Sequence, residues 1–222
     1  IVVETTTHDL WDLLLKAHLP MMLHENPQKV ALVALGAGVS LSAMAAYDVE
    51  RLDCVELSYA IEKAYKHFGQ VNDRVWDDPD VKLTINDGRF FLLTTTERYD
   101  VISVDPVDPP VCDLYTQDFF ELCHDRLADG GLMVQWVPLF GLSSEHLRII
   151  MSGFRGAFEH TTLWYDGTSV LLVGRRGGPL VIDVERFIKR ATQPAVVANL
   201  AKIGNPDPWL LLSTYMTDAQ GV

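Results

Sequence analysis

The stretch that decides the fold is KVALVALGAGVS, residues 29–40. Its first seven residues form a near-continuous apolar run, as expected for a strand that helices cover on both faces. Gly36 and Gly38 follow in a tight turn, and a helical pattern continues to about Tyr47. A buried strand that leads through a glycine turn into a helix predicts the first unit of a doubly wound α/β sheet.

The same alternation continues on the C-terminal side of this unit. Four more β-rich runs, separated by helical patterns, cover residues 51–57, 81–87, 99–105 and 132–139. A helix over 143–158 then precedes TTLWYDGTSVLLVG, residues 161–174, in which Asp166-Gly167 is a hairpin signal. We therefore predict an α/β fold of the class I S-adenosylmethionine-methyltransferase-like Rossmann type. Its sheet is expected to be mostly parallel and seven-stranded, with an antiparallel C-terminal hairpin, and residues 179–222 to be helical.

Composition excludes several functional classes. The net charge is −12, from 18 basic and 30 acidic residues, which argues against a nucleic-acid-binding surface. No apolar run reaches the roughly 18 residues of a membrane span, and the first residues lack a basic leader region. The three cysteines show no CxxC spacing and the seven histidines no metal-ligand spacing. We expect a cytoplasmic location, no direct membrane span in this chain and no metal.

Acids end the second and third predicted strands. Glu56 stands 20 residues after Gly36, where an acid can accept hydrogen bonds from a ribose diol. Asp87, followed by Gly88, could accept from an adenine amine, although a helix N-cap explains it equally well. A bare glycine pair is also compatible with a turn that binds no ligand, and Leu41 replaces the third glycine of a dinucleotide fingerprint. A glycine turn after the first strand, together with an acid at the end of each of the next two, favours a nucleoside site over a dinucleotide site.

Two further acids follow the fourth predicted strand, in SVDPVDPPV, residues 103–111. The prolines restrict the backbone around Asp105 and Asp108. Two close carboxylates can bind ammonium groups, and one of them can act as a general base towards an amine. The alternative is a solvated acidic loop without a ligand.

Together these segments resemble the spermidine synthase (polyamine aminopropyltransferase) family, in particular its bacterial spermidine synthase-like branch. The resemblance covers roughly residues 18–175. The most specific matching stretches are WDDPDVKLTINDGRFFL (76–92) and YDVISVDPVDP (99–109). They are supported by HLPMMLHENPQKVALVALGAG (18–38), DCVELS (53–58), LYTQDFFELCHDRLADGGLMVQW (114–136) and LWYDGTSVLLVG (163–174).

The resemblance implies transfer of an aminopropyl group from decarboxylated S-adenosylmethionine to a di- or polyamine such as putrescine. Glu56 would hold the ribose and Asp87 the adenine. Asp105 would accept the proton of the attacking amine, and Asp108 would bind the diamine. The co-substrate site would also include three glycines: Gly36, Gly38 and Gly88. A homodimer is compatible with the resemblance.

One position departs from the family in a way that bears on the co-substrate. Ala37 stands where the family has an aspartate that helps to bind the donor's amine. Two other functions therefore stay open: a methyltransferase that uses intact S-adenosylmethionine, and a non-catalytic nucleoside-binding or interaction module. The predicted organisation is an N-terminal remnant with a leading helix (1–28), a Rossmann-like nucleoside-binding catalytic domain (29–178) and a helical C-terminal appendage (179–222).

Overall fold

A computed structural model of the chain describes residues 7–106, 113–204 and 206–222. Asp108 therefore lies outside the described residues. The strands are β1 (Lys29–Val33), β2 (Arg51–Glu56), β3 (Val81–Ile85), β4 (Tyr99–Val104), β5 (Leu127–Pro138), β6 (His160–Tyr165), β7 (Ser169–Arg175) and β8 (Tyr215–Thr217). They form a single sheet in the order β3-β2-β1-β4-β5-β7-β6-β8.

Helices cover both faces of this sheet. They are α1 (Thr7–Leu23), α2 (Val39–Ala45), α3 (Tyr59–Ala64), α4 (Gly88–Thr94), α5 (Gln117–Arg126), α6 (Ser144–Ala157), α7 (Val184–Ala191), α8 (Pro194–Leu200) and α9 (Pro208–Leu212). Short 3₁₀ segments lie at Tyr65–Phe68, Val75–Asp77, Asp113–Tyr115 and Ala201–Ile203. Within the three described ranges, no helix combines the length and the apolar character that crossing a membrane requires.

The pairing confirms the predicted fold class. β1 to β5 pair in parallel, whereas β7 is antiparallel to both β5 and β6. The predicted hairpin is β6–β7. In its turn Gly167 has φ 113°, and Asp166 Oδ1 accepts hydrogen bonds from the backbone N–H groups of Thr168 and Ser169. The Asp166-Gly167 turn, from which the hairpin was predicted, therefore joins β6 and β7 in the structure.

Two details of the prediction were wrong. The sheet has an eighth strand, because α9 ends at Leu212 and the following residues extend along the open edge of β6. The open edge of a sheet provides hydrogen-bond partners for the backbone of a further strand, and a local sequence pattern does not predict such pairing. In addition, the fifth strand was predicted to start at residue 132 but starts at Leu127, directly after α5, because Leu127 already pairs with Tyr99 of β4.

Alternate side chains of the strands enter two apolar clusters on opposite faces of the sheet. In β1, Val30 and Leu32 belong to one cluster, and Ala31 and Val33 to the other. The first cluster also contains side chains of α1, α2, α7 and α8, and the second those of α4, α5 and α6. Residues from all three predicted regions therefore share the first cluster, and the boundaries at 28 and 178 stay predictions.

A buried polar network fixes α1 against α2 and α8. The imidazole of His18 is fully buried, with Nδ1 2.8 Å from the Tyr47 hydroxyl and Nε2 2.9 Å from Asn199 Oδ1. The Asn199 amide in turn donates to Ser42 Oγ and to Asp73 Oδ2. Burial lowers the pKa of His18 from 6.5 to about 4, which outweighs the opposing effect of the hydrogen bond to Asn199.

This pKa predicts an acid-sensitive stability. The unfolded chain binds a proton at His18 more readily than the folded protein, so the free energy of unfolding should fall as the pH drops from about 6.5 to about 4. The loss is about 3 kcal/mol for this residue. The free energy of unfolding, measured by urea denaturation at several pH values in that range, should change less steeply with pH for His18→Gln than for the parent.

Exposed His146 provides the matched control, because His146→Gln should keep the parent's dependence of the unfolding free energy on pH. His24, whose pKa burial also lowers, contributes a common slope to all three proteins. Equal pH dependence of His18→Gln and the parent would contradict this account.

Candidate functional site

The predicted site residues lie at one edge of the sheet. Four parallel strands lie side by side in the sheet in the order β3, β2, β1 and β4. The residues that follow them therefore lie at neighbouring carboxyl ends. The chain moves outward from β1 to β3 on one side and from β4 to β5 on the other, which makes the gap between β1 and β4 the topological switch point. Doubly wound sheets bind ligands in the crevice at this point. The residues at this edge are Gly36, Gly38, Glu56, Asp87, Gly88 and Asp105.

The glycine turn after β1 requires its glycines. Gly36 and Gly38 have φ 52° and 79°, in the left-handed region that residues with a Cβ adopt at a cost. A Cβ at Gly36 would meet no atom within 4 Å, so this part of the turn is open to a ligand. A Cβ at Gly38 would come within 3.1 Å of Tyr65 and 3.2 Å of Asn72, so that glycine is needed for packing. The Asn72 amide supports the turn by donating to the Ala37 carbonyl at 2.8 Å.

Glu56 holds this turn in place. Its Oε2 accepts from the Leu35 N–H at 2.9 Å, and its Oε1 accepts from the Ser58 N–H at 2.8 Å. The side chain is almost fully buried. Sequence reasoning placed Glu56 correctly at the end of β2 but missed this structural role, which depends on the path of the loop after β1. Binding of a ribose by Glu56 stays a prediction.

Asp87 and Gly88 both have clear local roles at the start of α4. Asp87 Oδ1 caps the helix by accepting from the Phe90 N–H at 2.7 Å, while the residue as a whole is exposed. A Cβ at Gly88 would lie 2.4 Å from a methyl group of Val33, so only glycine lets α4 approach β1 this closely. The N-cap alternative for Asp87 is confirmed, and contacts of both residues with a nucleoside stay predictions.

Asp105 forms an ion pair that the sequence did not predict. Its Oδ1 lies 2.6 Å from Lys16 Nζ, with 20% of the Asp105 side chain and 4% of the Lys16 side chain exposed. Lys16 Nζ also lies 4.8 Å from the centre of the Trp136 ring, in cation–π contact. The available signal was the single lysine in the stretch LLLKAHL of α1, residues 13–19, whose other residues are apolar apart from His18.

The second acid of the proline-rich turn, Asp108, belongs to residues 107–112, outside the described ranges. Its predicted approach to Asp105 stays a prediction. Among the residues that the structure describes, no group of three or more His, Cys, Asp or Glu side chains is arranged to hold a metal ion. The described edge therefore combines an open glycine turn, two acids engaged with the backbone and one acid engaged with a lysine.

Comparison with known proteins identifies relatives of this chain. The family model described as the spermine/spermidine synthase domain matches residues 15–162. A protein named polyamine aminopropyltransferase, from Korarchaeum cryptofilum (strain OPF8), is 35% identical over 120 residues, or 53% of this chain and 37% of that protein. The chain spans only 37% to 63% of the length of the similar curated proteins.

Two solved structures show the same fold. A spermidine synthase in complex with the transition-state analogue AdoDATO has a TM-score of 0.79 at 20% identity, over 94% of this chain and 73% of that one. Human methyltransferase-like protein 13 in complex with SAH has a TM-score of 0.60 at 18% identity, over 93% of this chain and 97% of that one. These likenesses agree with the strand order in assigning the methyltransferase-like Rossmann fold.

Proposed function

The chain belongs to the spermine/spermidine synthase family, and from this premise we propose that it is an aminopropyltransferase. The donor would be decarboxylated S-adenosylmethionine and the acceptor an amine. The observation that carries the proposal is the position of Asp105 at the switch point, next to β1 and its open glycine turn. There a carboxylate can receive a proton from an amine that attacks a donor bound along the strand ends.

The proposed reaction is a displacement at the carbon next to the donor's sulfonium. A bond forms between the acceptor nitrogen and that carbon, the carbon–sulfur bond breaks with its electron pair going to sulfur, and methylthioadenosine leaves. The nitrogen gives up a proton, for which Asp105 is the proposed acceptor. Holding amine and donor in line at this edge would supply much of the rate enhancement.

The proposed donor site uses the residues at the ends of β1 to β3. Glu56 would accept from the ribose hydroxyls with lone pairs that its two backbone hydrogen bonds leave available. Exposed Asp87 would accept from the adenine amine. The open face of Gly36 would let the donor approach the backbone, with Gly38 and Gly88 shaping the surrounding elements. Asp108 is the proposed anchor for the acceptor's ammonium group.

Incubation with decarboxylated S-adenosylmethionine and a panel of amines, putrescine included, tests the proposal. Methylthioadenosine should form only when both donor and amine are present. Absence of product with every amine would contradict aminopropyl transfer. Nucleoside binding without turnover, together with an unchanged Asp105→Asn variant, would instead favour a non-catalytic binding module.

Ala37 supports a second candidate, a methyltransferase. Its buried methyl group occupies the turn position where the family has a carboxylate for the donor's amine. Loss of that acid would weaken binding of decarboxylated donor and remove repulsion of the carboxylate in intact S-adenosylmethionine. Parallel calorimetric titrations with the two donors distinguish the candidates, since a methyltransferase should prefer the intact one.

Other properties of the chain complete the proposal. We expect a polyamine such as putrescine as the small-molecule partner, no nucleic acid, and a cytoplasmic protein able to form a homodimer. The net charge of −12 supports the first two, because it attracts polycations and repels phosphates. Sedimentation of the protein with and without methylthioadenosine would test the homodimer.

Asp87 allows a test that separates stability from ligand binding. Asp87→Ala should lower the free energy of unfolding by about 1 kcal/mol, because α4 loses its N-cap. It should also weaken methylthioadenosine binding at least tenfold in calorimetry if the carboxylate holds the adenine.

Asp183→Ala is the matched control for this variant. Asp183 likewise caps α7, by accepting from the Arg186 N–H at 2.9 Å, and it also forms a partly exposed ion pair with the Arg186 guanidinium at 3.2 Å. It should show a comparable loss of stability with unchanged nucleoside affinity. Equal nucleoside affinities in both variants would remove Asp87 from the proposed site.

A further inference from the structure

Lys16 is an unusual residue for its position. Apart from His18, its neighbours in α1 that share its burial are apolar, among them Leu14, Leu15, Ala17 and Leu19, each at most 1% exposed. Burying a lysine ammonium among such side chains is unfavourable unless a counter-charge and further polar contacts compensate for the lost hydration. Here the compensation comes from Asp105, at 2.6 Å, and from the ring of Trp136.

The pair changes what Asp105 can offer to a ligand. A diamine acceptor carries two ammonium groups, and without Lys16 one of them could pair with Asp105. The Lys16 ammonium already neutralises this carboxylate and is itself of the same chemical type as the group that an acceptor would bring. A second ammonium at this place would meet a neutral pair and would lie next to a like charge, which disfavours its binding.

We propose that Lys16 is a specificity-determining residue whose ammonium takes the place beside Asp105 that one ammonium of a diamine would otherwise occupy. This inference rests on the proposed function and specifies its substrate class. The chain selects acceptors with a single positive charge over dicationic ones, and the nitrogen that attacks beside Asp105 arrives there uncharged. A pair that merely fastened α1 to the sheet would stabilise the fold without affecting this choice.

The choice can be measured with putrescine and n-butylamine, which have the same four-carbon chain but two and one ammonium groups. Calorimetry in the presence of saturating methylthioadenosine gives the ratio of their dissociation constants. The parent protein should bind n-butylamine at least as tightly as putrescine. Lys16→Met, which keeps an unbranched side chain one atom shorter and removes its charge, should shift the ratio towards putrescine at least tenfold.

Three further variants make the result specific. Lys16→Gln retains a donor for Asp105 and should show the same shift, which protects the test against poor folding of Lys16→Met. Lys16→Arg keeps the charge and should retain the parent's ratio. Lys202→Met removes another lysine–aspartate pair, between Lys202 and Asp73 at 2.5 Å, and should also leave the ratio unchanged.

The outcomes separate the two proposals. An unchanged ratio in both neutral variants, or no amine binding by parent and variants alike, would overturn the role of Lys16. Failure of the aminopropyltransferase proposal would appear elsewhere, as absence of methylthioadenosine production from decarboxylated donor with every amine. A shifted ratio without turnover would therefore leave an amine site governed by Lys16 in a protein that does not transfer aminopropyl groups.

Discussion

Asp105→Asn is expected to lower the rate of methylthioadenosine formation by about 10²–10⁴-fold, the usual contribution of a general base. The substitution preserves the shape of the side chain and removes its ability to take a proton from the attacking amine. Donor binding should change little, because Asp105 follows β4 whereas the proposed donor contacts follow β1, β2 and β3. The measurement is steady-state production of methylthioadenosine at saturating donor, combined with calorimetry of nucleoside binding.

The Asp105→Asn variant also leaves Lys16 without its counter-charge, so stability has to be followed. A melting temperature several degrees below the parent's is expected, since removing one partner of a mostly buried pair is costly. The double variant Lys16→Met/Asp105→Asn should recover stability but not activity. Asp129→Asn is the control. The Asp129 side chain is 99% exposed, so this substitution should change neither stability nor activity. Retention of more than a tenth of the parent's rate by Asp105→Asn would rule out Asp105 as the base.

Glu56→Ala is expected to reduce both stability and nucleoside affinity. It removes the acceptor for the N–H groups of Leu35 and Ser58, and Leu35 is 4% exposed, so water cannot readily replace the lost partner. Hydrogen bonds to a charged acceptor and the cost of an unsatisfied buried donor predict a loss of about 3 kcal/mol in the free energy of unfolding. Methylthioadenosine affinity should fall at least tenfold, since the glycine turn loses its support and the ribose its proposed acceptor.

Glu56→Gln separates these effects further. Its amide oxygen can still accept one of the two backbone hydrogen bonds, so the loss of stability should be smaller than for Glu56→Ala. Exposed Glu145 serves as the control, and Glu145→Ala should leave nucleoside affinity unchanged. Denaturant unfolding and calorimetry provide the two readouts. Parent-like nucleoside affinity in both Glu56 variants would show that the carboxylate supports the turn without contacting a nucleoside.

Much of the fold could be predicted because its signals are local. The apolar run of β1, the glycine turn after it and the Asp166-Gly167 hairpin each act over a few residues, and the structure confirms them. The predictions failed where distant segments compete for backbone groups. β8 exists because β6 offers an open edge, and β5 starts before its predicted first residue because Leu127 pairs with β4.

The sequence by itself determined which strand ends carry acids and glycines, and therefore that Glu56, Asp87 and Asp105 lie at one edge of a parallel sheet. Alternation of strands and helices is sufficient for this, because parallel crossovers bring all carboxyl ends to the same side. The local sequence also offered the N-cap contact of Asp87, whereas only the tertiary structure decided what Glu56 and Asp105 contact. Glu56 binds the turn of another strand, and Asp105 binds Lys16 from α1. Such contacts join segments far apart in the chain, and their formation depends on how helices pack on the sheet rather than on any local pattern.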